Sequence, residues 1–92
     1  MDGAPLRDPY EECLDLETAG ELMNARVGRI MRAIYTEEAQ AEPDPDQIAR
    51  LRASKRAIAR DRDAMRGNKP SVVATMIEKY TRLRDADLVK HE

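Results

Sequence analysis

The 92-residue chain has no tryptophan and no phenylalanine, and three tyrosines are its only aromatic residues. Its apolar content is carried by Leu, Ile, Val, Met and many Ala, which suit helices and narrow helix–helix seams better than sheets rich in aromatic and β-branched residues. The expected fold class is all-α. Cysteine is equally scarce: Cys13 stands alone, which excludes an intramolecular disulfide framework and suits a reducing cytoplasm. Long hydrophobic runs are missing as well. The longest, about Val72 to Ile77, falls far short of the roughly 20 residues of a membrane span, and Met1 to Pro5 lacks a basic region followed by an apolar one. The sequence predicts a cytoplasmic protein with no membrane partner. At this length one small domain is expected, burying roughly 60 to 65% of the surface its unfolded chain exposes.

Residues that carry chemistry are also few. His91 is the only histidine and lies one residue from the end of the sequence, a poor place for a Ser-His-Asp or Cys-His arrangement. The four glycines are scattered and form no phosphate-binding loop. One cysteine and one distant histidine cannot build a zinc site within the chain. Asp44-Pro45-Asp46 faintly resembles a calcium loop, but the required glycine and closing glutamate are absent. The adjacent acids Glu11-Glu12 and Glu37-Glu38 have no apolar surroundings to shift a pKa. No catalytic residue, cofactor or metal is expected, and an enzyme is the least favoured class.

Charge, by contrast, is abundant. The formal net charge of -2 conceals a cancellation. Residues 1–24 hold seven acids (Asp2, Asp8, Glu11, Glu12, Asp15, Glu17, Glu21) against Arg7, giving -6. Residues 50–69 hold eight bases (Arg50, Arg52, Lys55, Arg56, Arg60, Arg62, Arg66, Lys69) against Asp61 and Asp63, giving +6. Because fields act over a Debye length of about 10 Å, this segregation matters more than the total.

The chain divides into an irregular acidic arm over residues 1–12 and one helical domain over 13–92, with helices at about 13–41, 46–66 and 70–86. In the first, Leu16, Met23, Val27, Ile30 and Ile34 share a face at alternating spacings of three and four, with Gly20 filling a step. Glu42-Pro43-Asp44-Pro45-Asp46 ends it, and Asp44 is the expected N-cap of the second helix with Pro45 at its first position. Ile48, Leu51, Ile58 and Met65 line that helix, and Gly67-Asn68 stops it. The third carries Val73, Met76, Ile77, Tyr80 and Leu83 on one face.

So short a link between the first two helices implies an antiparallel hairpin. Residues whose numbers add to about 88 then share a level: Met23 with Met65, Ile30 with Ile58, and Arg26 near enough to neutralise Asp61. Two long rods cannot bury their stripes alone. The third helix completes either a three-helix bundle or, with a second hairpin, a dimeric helical bundle; a homodimer is favoured because so small a chain has little core.

The strongest functional signal is the second helix, where Arg52, Lys55, Arg56, Arg60, Arg62 and Arg66 form a basic ribbon behind an apolar seam. The leading expectation is a non-enzymatic interaction or regulatory protein whose ribbon meets an anionic protein surface, with the acidic arm competing for that ribbon or engaging a cationic partner. Nucleic acid is the alternative, since arginine's planar fork suits phosphate. Overall acidity and the lack of aromatics among the arginines weigh against it. A helix-turn-helix scores poorly, because the would-be recognition helix opens on the apolar run from Ser71 to Ile77. Met31 and Tyr35 lie toward the edge of the first helix's stripe and are the expected dimer or partner contact.

Overall fold

The computed structural model describes residues 8–90, which form three helices joined by short turns, with no strand among them. Helix α1 spans Pro9–Glu38, α2 Pro45–Ala64 and α3 Pro70–Lys90. Helix α1 packs against both of the others, so the architecture is an all-α helical bundle.

The first helix begins at Pro9, ahead of the bound of about residue 13 and at the point where the arm over 1–12 is expected to turn helical. The cause is a capping box. Asp8 Oδ1 accepts from the Glu11 amide at 2.7 Å, and the Glu11 carboxylate accepts from the Asp8 amide at 3.4 Å, so two donors that open the helix are satisfied reciprocally. Pro9 then occupies the first helical position, where its missing amide costs nothing. Residues 1–7 of the expected arm, with Asp2 and Arg7, lie outside the described residues, as does His91. At its other end α1 stops at Glu38, three residues short of expectation, with Ala39 as C-cap.

The start of α2 is as expected: Asp44 Oδ1 accepts from the amides of Asp46 and Gln47 at 3.0 and 3.2 Å. Its end at Ala64 is two residues early, and the chain turns through Met65 to Asn68. The left-handed residue of that turn is Asn68, with φ 53°, and its amide bonds the Met65 carbonyl at 2.9 Å. After glycine, asparagine is among the residues that adopt this conformation most readily. Helix α3 runs on to Lys90, past the expected end at residue 86.

Eight residues make the core: Ala19, Met23, Ile30, Ile34, Ile58, Met65, Val73 and Tyr80. Leu16, Val27, Leu51, Met76, Ile77 and Leu83 pack against it half-buried, so the stripes read from the sequence are those that turn inward. The hairpin register also holds. The cross-helix contacts Asn24–Arg62, Met31–Lys55 and Glu38–Arg52 all fall within about two residues of the expected pairing.

The third helix is staggered rather than level with the other two. It begins beside the first turns of α1, where Pro70 and Val73 meet Glu12, Cys13 and Leu16, and runs parallel to α1 until Asp87 reaches Arg26 and Arg29. Helix α2 covers the other end of α1. The three meet near the middle, and the molecule is elongated, 59 × 29 × 21 Å.

Candidate functional site

The basic ribbon lies on the outward side of α2, where only Ile58 is fully buried. Arg52, Lys55, Arg56, Arg60, Arg62 and Arg66 are all exposed, but they do not form one continuous field. Arg62 donates to Asn24 and Lys55 Nζ lies 3.5 Å from Met31 Sδ, so both lean across the seam toward α1. Arg52 pairs with Glu38 of α1 at 3.2 Å, with both side chains about half exposed. Arg66 pairs with Asp63 of its own helix at 3.1 Å, in open solvent. Arg56 and Arg60 make no ion pair or side-chain hydrogen bond among the described residues. With Arg52 they stand at four-residue spacing, about 6 Å apart along the axis, so the ribbon narrows to a row of three.

One correction follows. Arg26 does not neutralise Asp61: it donates to Asp87 at 2.5 Å, because α3 runs far enough along α1 to bring a carboxylate to it. Asp61 is met instead from α3, accepting from Lys79 at 2.6 Å and from the Tyr80 hydroxyl at 2.6 Å. Met31 is half-buried and Tyr35 61% exposed, and the two line one open groove with Arg52, Lys55 and Arg56 of α2.

The Asp61 carboxyl is largely covered. Burial alone would raise its pKa, but the hydrogen bonds from Lys79 and Tyr80, with the charges of Lys79 and Arg60, outweigh that and hold it below the usual value. Tyr80 is pushed well above the ordinary tyrosine value by burial, by its hydrogen bond to Asp61 and by that carboxylate's charge. Both shifts belong to a latch between α2 and α3.

A second arginine group escaped the sequence reading. Arg26, Arg29 and Arg32 follow one another at three-residue steps on α1 and line an open cavity of about 530 Å³, with Ile30, Leu51 and Thr36. Asp87 enters its edge from α3 and pairs with Arg26 at 2.5 Å and Arg29 at 3.4 Å. Arg32 has no ion pair among the described residues, and its guanidinium lies back over Gly28, 3.6 Å from where a Cβ there would stand. The three-residue spacing was legible in the sequence. Its counter-charge was not, because Asp87 lies in a segment expected to fray.

Cys13 is exposed. No group of three His, Cys, Asp or Glu side chains among the described residues could hold a metal ion, and none of their helices is long and apolar enough to cross a membrane. Compared with known proteins, the chain matches no protein-family model, no curated protein and no solved structure.

Proposed function

We propose that the chain is a small non-enzymatic interaction or regulatory protein of the cytoplasm, working as a homodimer and binding a protein partner through its charged helix faces. The observation that carries this reading is the row Arg52, Arg56 and Arg60 on the outward face of α2. Two of the three lack any internal ion pair among the described residues, and the Arg52–Glu38 pair is solvent-exposed, a kind worth about 0 to 1 kcal/mol. The guanidiniums are therefore available to an anionic surface at little internal cost. In a dry contact each charge-assisted bond is stronger than a neutral one.

The same row supports nucleic acid as the second reading, with arginine forks on phosphates and little base readout. The two separate in one experiment. A tagged chain is used to capture partners from lysate with and without nuclease, beside an Arg52→Ala/Arg56→Ala/Arg60→Ala variant. Protein partners that survive nuclease and are lost with the variant support the first reading. Partners released by nuclease, together with a gel shift on duplex whose salt dependence flattens in the variant, support the second. Capture unaffected by the triple substitution overturns both.

A further inference from the structure

Helix α1 has a face that the other described helices leave open. Turning 100° per residue, Tyr10, Leu14, Glu17, Glu21, Gly28, Arg32 and Tyr35 fall within about 60° of arc, roughly opposite the buried Ala19, Met23, Ile30 and Ile34. Three of the four large hydrophobic residues that the described structure leaves exposed lie on this arc: Tyr10 at 72%, Leu14 at 41% and Tyr35 at 61%. The charge along it reverses, with Glu17 and Glu21 toward the start and Arg32 toward the end.

From these features we infer that the outer face of α1 is the homodimer interface, and that the two copies of α1 lie antiparallel across a two-fold axis. The inference rests on the homodimer reading and not on the basic row of α2. The sign reversal chooses the geometry. Parallel copies would set Arg32 against Arg32 and Glu17 against Glu17. Antiparallel copies set each acid against the partner copy's base, and a two-fold axis satisfies both ends at once.

The register follows from the same face. When residues whose numbers add to about 49 are opposed, Glu17 meets Arg32, Leu14 meets Tyr35 and Glu21 meets Gly28, each contact occurring twice. Ala25 and Gly28 near the axis offer little side-chain bulk, so the backbones approach closely. Arg32, folded back over Gly28, then sits between Glu17 and Glu21 of the other copy, which are one helical turn apart. Tyr10 and the Leu14–Tyr35 contacts cap the two ends with apolar surface.

Charge reversal tests this interface directly. Glu17 and Arg32 are exposed, so Glu17→Arg, Arg32→Glu and the double variant keep the fold, as circular dichroism verifies. Mass is measured by sedimentation equilibrium across protein concentration at low salt. The wild type is expected to form a reversible dimer. Each single reversal should raise its dissociation constant by about tenfold or more, since like charges then meet at both symmetric sites, and the double variant should restore most of the affinity, with Glu21 left facing a like charge. Arg82→Glu, at an exposed position of α3 outside both surfaces, should leave it unchanged. A wild type that stays monomeric throughout overturns both this interface and the homodimer. A dimer indifferent to the single reversals, or not restored by the double, overturns the α1 interface alone and leaves the homodimer standing.

Discussion

Tyr80 carries a polar group into the core. Its ring is buried at 3% exposure among the core side chains, yet its hydroxyl reaches Asp61 on α2, which is how a buried tyrosine usually resolves its conflict. Because the native hydroxyl holds its proton well above the ordinary tyrosine value, the unfolded chain gives up that proton first as pH rises. The stability contributed is full below about pH 10, the unfolded value, and is lost as pH climbs from there toward the native value. Tyr80→Phe should lower stability by about 1.5 to 3 kcal/mol at neutral pH, the usual range for a hydrogen bond to a charged group. Its urea midpoint should also fall less steeply above about pH 10 than that of the wild type. Parallel pH profiles would show that the Tyr80–Asp61 bond contributes nothing. The sequence placed Tyr80 inside, on the stripe with Val73 and Ile77, but not its partner. Helical spacing says which way a side chain turns, whereas its hydrogen-bond partner depends on the stagger between helices.

Elements were legible where local chemistry decides them. Asp44 before Pro45, and Asn68 before Pro70, act on their own neighbours, and each sits where the sequence put a boundary. At the start of α1, Gly3, Pro5 and Pro9 suggest irregular chain, while the decisive signal is Asp8 with Glu11 three residues on. That pair flanks a proline that opens the helix rather than breaking it. Replacing Asp8 with Ala removes the acceptor for the Glu11 amide and should cost about 1 kcal/mol, as N-cap losses usually do. The first turns, with Glu12 and Leu16 against Pro70 and Val73, should then fray. Urea denaturation gives the first quantity and amide exchange at residues 9–13 the second. Unchanged exchange in those turns would show that packing on α3, not the cap, holds the start of α1.

The stagger of α3 is not legible in any local pattern of the sequence. Hairpin geometry fixes α2 against α1 because the link between them is short and their stripes must coincide. For α3 the apolar face fixes only rotation, and its axial position is set by contacts distant in sequence: Pro70 against the start of α1, and Asp87 against Arg26 and Arg29. The consequence is uneven support. Near Met23, Val27, Asp61 and Tyr80 all three helices converge, whereas beyond Arg29 the α1–α2 tip has only each other's stripe, with Ile34 buried and Leu51 half-buried. Local opening follows the density of buried contacts, so native-state exchange should be heterogeneous. The slowest amides should lie around residues 22–28, 58–63 and 76–82. Those of α1 after about residue 33, and of α2 before about residue 52, should exchange through local opening at lower free energy. Asp87→Ala should leave Arg26 and Arg29 without their shared carboxylate and speed exchange in the last turns of α3 while leaving the α1–α2 tip unaltered. Equal protection along α2 would mean that the hairpin opens only together with the rest, and the two ends of α1 would then belong to a single cooperative unit.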